Sequence, residues 1–233
     1  MNNSRKLSQT TLKLIATLSM LFDHIGFFLL PEIVFFRVLG RLAFPIFAFF
    51  VCEGVRYTRN KSKYLIRMVV LGILCQLPAI LYFPSAPLNI FVTFSISIVI
   101  IFLFDWLKSV NSGRDKLIAM SVNIIFLILV FVMTRLVSIE YGFAGILFAP
   151  LASLPKTEKD TPKDIPYRVF MTIPSFIALA IEYIEIFQFA ALLAIPFLLL
   201  YSGKRGKYSF KYFFYIFYPL HLSVLYYLSS LIK

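Results

Sequence analysis

The sequence predicts an all-α integral membrane protein: a polytopic bundle of about nine transmembrane helices with its N-terminus in the cytoplasm. Three observations predict it. Sixty per cent of the 233 residues are hydrophobic, and the mean hydropathy is +0.86. Only 15% are charged, against ~25% in an average soluble domain. The basic residues fall at alternate ends of the apolar runs, as they do when cytoplasmic loops retain Lys and Arg. A soluble, secreted, disordered or collagen-like chain is excluded. The net charge of +12 is explained by those loops, so no nucleic acid partner is expected.

Taken in order, the runs that supply ~20 mostly apolar residues each are these. The N-terminal MNNSRKLSQTTLK is basic and leads into 12–30 without a small-residue cleavage site, so 12–30 is a first helix and not a removed signal. Only Pro31 and Glu32 separate it from 33–55. After a basic stretch come 64–83, 88–106 and 117–137. The spans at 142–155 and 186–202 are short and contain Pro150 and Pro196, so each is expected to be tilted, broken or partly re-entrant. Spans 168–183 and 212–231 complete the set. The segment 156–167, KTEKDTPKDIPY, is a polar cytoplasmic linker inside one domain, 1–233. No repeat divides the chain. This topology puts 19 of the 23 Lys and Arg in the cytoplasm; Arg37, Arg41 and Arg135 fall inside spans and Lys233 lies at the outer end.

Ionisable groups within spans are costly, and each is a functional candidate. They are Asp23, His24, Arg37, Arg41, Glu53, Arg135, Glu182 and His221. Glu53, Arg135 and Glu182 lie near span ends, within reach of the interface. The first two spans form a tight antiparallel hairpin, so residues at equal depth have numbers summing to about 63. Asp23 then shares a level with position 40, between Arg37 and Arg41, which are one turn apart on one helix face. A structural ion pair or a polar site follows from this. Asp23 and His24 point about 100° apart, which pairs Asp23 with an arginine and leaves His24 to face a cavity. His24 and His221 are the chain's two histidines. Lys13 to His24 is ~16 Å of helix and Lys211 to His221 ~15 Å. Both imidazoles are therefore expected at one depth near the bilayer middle. A mid-membrane base below cytoplasmic cations suits a long anionic donor such as acyl-CoA, with Arg56, Arg59, Lys61, Lys63 and Arg67 near its phosphates. Cys52 and Cys75 lie in apolar runs and read as buried thiols; no spacing points to a metal.

The blocks KLIATLSMLFDHIG (13–26), RVLGRLAFPIFAFFVCEGVRYTRNKSKYLIR (37–67), LNIFVTFSIS (88–97), EYGFAGILF (140–148) and FYIFYPLHLSVLYYL (214–228) resemble the TraX family, membrane proteins linked to N-terminal acetylation of conjugative pilin. That family is similar to the membrane acyltransferases that acetylate extracytoplasmic sugars and lipids. These carry a basic residue, ten residues, then a catalytic His on the first helix. Lys13 and His24 have that spacing, with Lys where Arg is usual, so any phosphate contact would be monodentate.

The resemblance implies an acetyl-CoA-dependent membrane acetyltransferase with His24 as general base, Asp23 and His221 in support, and an acceptor on the outer side: a pilin-like peptide, a lipid or an envelope glycan. Arg37, Arg41, Glu53 and Arg135 are the expected substrate-binding residues. Lys13, Arg56, Arg59 and Lys63 are the expected acetyl-CoA contacts. No metal is expected; membrane lipid is, and the location implied is the bacterial cytoplasmic membrane. A small proton-coupled transporter and a non-enzymatic assembly factor are the alternatives. The first predicts a pathway open to both sides, the second histidines packed with no cavity beside them.

Overall fold

The computed structural model describes residues 7–82, 85–111, 113–155, 162–183, 186–207 and 210–232. Among these the regular structure is helical: α1 (Gln9–Phe28), α2 (Val34–Gly40), α3 (Ala43–Tyr57), α4 (Lys61–Tyr82), α5 (Ile90–Ser109), α6 (Arg114–Leu136), α7 (Gly142–Ser153), α8 (Ile165–Phe170), α9 (Ile173–Tyr183), α10 (Ala194–Leu199) and α11 (Lys211–Ile232). Short 3-10 turns cover Pro162–Asp164 and Ile186–Leu193. Among the described residues, six stretches are long and apolar enough to cross a membrane, and three shorter apolar helices accompany them. The chain is a multi-pass membrane protein. Part of the expected linker, 156–161, lies outside the described residues.

Two of the expected single spans are broken and a third changes helix type, each at a proline. A proline has no N–H to give the carbonyl four residues back, and its ring crowds that carbonyl. Pro45 removes the partner of Arg41, and the helix breaks between α2 and α3 at Arg41–Leu42. Pro174 does the same at Phe170, where α8 ends before α9 begins. Pro196 stands where the 3-10 stretch gives way to α10. Elsewhere the ends are capped. Ser8 Oγ accepts from Thr11 N–H at the start of α1. Asn89 accepts from Phe91 N–H at the start of α5, while its amide donates to Gly72 O and Gln76 Oε1 of α4.

α3 is the most enclosed helix; its Ile46 and Phe49 are fully buried. α6 is the least enclosed, and Ile124, Ile125, Ile128 and Leu129 stand exposed on it. In a membrane protein that face meets lipid. Elements expected on one side gather at one end. Leu7 bridges Tyr201, Lys61 pairs with Asp105, and Lys108 donates to Ser153 O. At the opposite end Leu88 bridges Ile139, and Gly142 abuts Glu182. The first end carries the basic loops. The hairpin connection is longer than expected, running from Leu29 to Ile33, yet the register holds. Gly40 packs against Asp23 so closely that a Cβ there would collide with the aspartate's own Cβ, and Gly26 faces Phe36 and Arg37.

Candidate functional site

A cavity of about 960 Å³ runs through the bundle. Gln9, Arg59, Arg205 and Lys207 line it at the basic end. At its far end stand Asp23, His24, Phe91, Glu140, Tyr141 and Tyr218. Lys13 lies on the wall between, its Nζ 5.5 Å from the ring centre of Phe50 and 5.8 Å from that of Phe214.

The far end is built around α1. The two histidines meet there, as their spacing predicts, with His24 Nδ1 2.7 Å from His221 Nε2. His24 lies closer to the outer end of α1 than the expected mid-depth, only one turn before Phe28. The hydrogen bonds fix the proton positions. His221 Nδ1 is 2.7 Å from Phe217 O, and a carbonyl only accepts. With both rings neutral, His221 therefore carries its proton on Nδ1 and offers the Nε2 lone pair. His24 must donate through Nδ1, which leaves its own Nε2 bare. Tyr218 packs edge-on to both imidazoles.

Asp23 is 9% exposed. Its Oδ1 is 2.9 Å from Arg37 Nη1 and 2.7 Å from Arg41 Nη2. Arg41 also donates to Gln188 Oε1 at 3.0 Å. The predicted cluster of one acid and two guanidiniums is present. Asp23 reaches the cavity wall; the arginines stand behind it, outside the lining. They brace the hairpin and do not present donors to the cavity.

Other expectations are corrected. Glu53 does not reach an interface: it is 3% exposed and paired with Arg168, with Tyr201 Oη 3.3 Å from its other oxygen. Arg168, expected in a cytoplasmic loop, is 3% exposed and also donates to Cys52 Sγ and Ala152 O. Glu53 and Tyr201 still line the cavity. Arg135 is remote from it, 3.7 Å from Glu182 with its side chain 57% exposed; this agrees with the interface reading and removes it from substrate binding. Of the expected donor contacts, Lys13 and Arg59 line the cavity, while Arg56 and Lys63 do not. Arg67 does, together with Arg205 and Lys207. The last two were counted only as cytoplasmic charges.

The loop carrying them is tied to α1. Leu7 N–H donates to Leu200 O, Gln9 N–H to Lys204 O and Thr10 N–H to Arg205 O. The Gln9 and Thr10 bonds satisfy donors that a helix start leaves open. Gly206 has φ +98, and a Cβ there would fall 2.7 Å from Ser8 Oγ. The strap needs glycine at that point.

A family model described as TraX protein matches residues 8–229. The chain belongs to the TraX family. A TraX relative from Dichelobacter nodosus, named probable fimbrial assembly protein FimC, serogroup H1, is 24% identical over 97% of both chains. The uncharacterized protein RP591 of Rickettsia prowazekii is 40% identical over 65 residues, 28% of this chain and 26% of its own. No solved structure matches the TraX chain described above.

Proposed function

We propose that this protein is a membrane acetyltransferase of the bacterial cytoplasmic membrane, working in pilus or conjugation-related assembly. Acetyl-CoA enters from the cytoplasm, and the acceptor amine or hydroxyl comes from the outer side. One observation carries the reading: a single cavity joins a mouth lined by Arg59, Arg205 and Lys207 to the imidazole of His24. The mouth has the charge that phosphates need, and the ~16 Å from Lys13 to His24 suits the donor's thin arm. Membership of the TraX family and the name of the fimbrial assembly relative support the setting.

In this reading His24 Nε2 takes the proton of the attacking N–H or O–H as the nucleophile adds to the thioester carbonyl. Collapse of the tetrahedral intermediate breaks the C–S bond, and the imidazolium returns the proton to the leaving sulfur. His221 holds the tautomer that makes this possible and, through the Nδ1 bridge, shares the charge. Asp23, neutralised by its two arginines, keeps the α1–α2 hairpin in register beneath the base.

Membranes containing the protein or its His24→Ala form, given acetyl-CoA labelled in the acetyl group, test the reading. His24-dependent appearance of label in free acetate or in a peptide, lipid or glycan fraction is the expected result. No turnover and no saturable acetyl-CoA binding by the wild type would return the choice to a transporter or an assembly factor.

A further inference from the structure

We propose that Glu140 is a second catalytic residue of this cavity, the group that deprotonates an ammonium acceptor before it attacks. The proposal rests on the acetyltransferase reading and narrows its acceptor to an amine.

Glu140 belongs to the connection between α6 and α7, at the end of the bundle away from the basic loops. Two backbone features aim it inward. Its N–H donates to Leu88 O at 2.9 Å and its carbonyl accepts from Thr93 Oγ1 at 2.6 Å, so the main chain is fastened to α5. The next residues, Tyr141 (φ 63) and Gly142 (φ 51), are both left-handed. For a tyrosine this is a strained state that needs support, and stacking on Phe44 at 3.9 Å between ring centres supplies it. The turn places Glu140 and Tyr141 on the wall of the cavity that holds His24.

The Glu140 carboxylate accepts from Ile90 N–H, at the start of α5. It makes no ion pair among the described residues, whereas Asp23, on the same wall, meets two arginines. Among the described residues the cavity thus presents one anion held in no ion pair, with the Arg41 charge acting on it only from beyond ion-pair distance. The titratable and charged groups facing it are Asp23 of α1, Arg41, Cys75 of α4, its neighbour Tyr141, and Tyr218 and Tyr226 of α11. Burial, reinforced by the Asp23 carboxylate, pushes the Glu140 carboxyl up to about 7. That is within reach of an α-ammonium, whose ordinary value is about 8.

The proton count gives it work that His24 alone does not cover. A hydroxyl acceptor loses one proton, and His24 hands that proton to the leaving sulfur. An ammonium must lose two. Glu140 takes the first, giving the free amine and a neutral carboxyl. The amine adds to the carbonyl, His24 Nε2 takes the second proton and delivers it to sulfur as the C–S bond breaks. The amide and the CoA thiol leave, and Glu140 releases its proton to solvent. The sum is ammonium plus thioester giving amide, thiol and one proton.

The test uses the full-length protein in detergent, so that both sides are accessible. The probes are a short apolar peptide amide, Ala-Leu-Phe-NH2, and its lactyl analogue, in which a hydroxyl replaces the amine. Acceptor-free hydrolysis of acetyl-CoA is read beside them. Relative to transfer to the lactyl peptide, Glu140→Gln should lower transfer to the amine about tenfold at pH ~7, where about a tenth of an α-amine is free. The deficit should vanish by pH ~9. Glu140→Asp should restore part of the activity at neutral pH. An equal loss at every pH, an equal loss with the lactyl peptide, or no transfer to the amine by a wild type that hydrolyses acetyl-CoA would overturn the proposal. Absence of His24-dependent hydrolysis in the wild type would instead overturn the acetyltransferase reading beneath it.

Discussion

Asp23 was legible from its number alone. Two residues between apolar runs force an antiparallel hairpin, and the level of Asp23 then falls between Arg37 and Arg41; the ion pairs at 2.9 and 2.7 Å follow. Removing the carboxylate charge with Asp23→Asn takes the counter-ion from two guanidiniums, one of them 8% exposed. Breaking one side of a buried pair costs about 3–5 kcal/mol, so the variant should melt well below the wild type in a detergent thermal scan. The His24 and His221 pair was legible for the same reason, since equal distances from basic boundaries put them at one level. Glu140 was not, because it follows the apolar run of α6 and reads as an ordinary loop residue; its backbone bonds to Leu88 and Thr93 and the left-handed turn after it direct it inward. Arg168 was missed because a basic residue beside a polar loop looks cytoplasmic, and its partner Glu53 is 115 residues away. The raised Glu140 carboxyl also has a stability signature. The folded state holds this proton until about pH 7, whereas an unperturbed glutamate loses it near 4.5. Between those values the native state binds more protons, so stability falls as pH rises. Measured against Glu140→Gln, the wild type should lose melting temperature across that window and be level on either side of it.

At the scale of the element, apolar length and basic flanks were enough to find the six spanning stretches and three shorter apolar helices among the described residues, but breaks required counting back from each proline. Pro45 and Pro174 stand near the starts of α3 and α9, where a missing N–H is tolerated, and the break opens about four residues upstream; before Pro196 the helix only changes from 3-10 to α. Pro78, Pro150 and Pro219 remain inside their helices, so sequence position alone does not separate the two outcomes. The strap 200–207 was invisible for a different reason. Its bonds to Leu7, Gln9 and Thr10 join the start of the chain to its last quarter through backbone groups, which carry no residue signature beyond Gly206. The strap brings Arg205 and Lys207 to the mouth, and it can be loosened without touching the histidines. Gly206→Val adds a side chain at φ +98 against Ser8 and Thr10. The expected result is a several-fold rise in the KM for acetyl-CoA with kcat little changed, because uniform donor binding is lost and the chemical step is not. Steady-state hydrolysis at varied donor concentration reads the difference.

For the whole molecule, the proposed function and the topology are one question, because the proposed transfer across the bilayer requires opposite access to the two ends of the cavity. An odd number of passes puts the chain ends on opposite sides. The contacts sort accordingly: Leu7, Lys61, Lys108 and Tyr201 take part in contacts at one end, Leu88, Ile139, Gly142 and Glu182 at the other. The excess of Lys and Arg at the first end orients it toward the cytoplasm. The native thiols Cys52 and Cys75 are both buried, so introduced cysteines at exposed positions report sidedness with little background. Arg114→Cys and Lys204→Cys should react with a membrane-impermeant maleimide only in inverted vesicles. Glu32→Cys and Ser138→Cys should react only in intact cells. The mouth beside Arg205 would then face the cytosolic donor, and the turn holding Glu140 would lie on the acceptor's side. Labelling of Ser138→Cys from the cytoplasm would put Glu140 and the basic mouth on reversed sides. A cytosolic donor would then meet the floor of the cavity first, and neither Arg59 nor Lys207 could receive its phosphates.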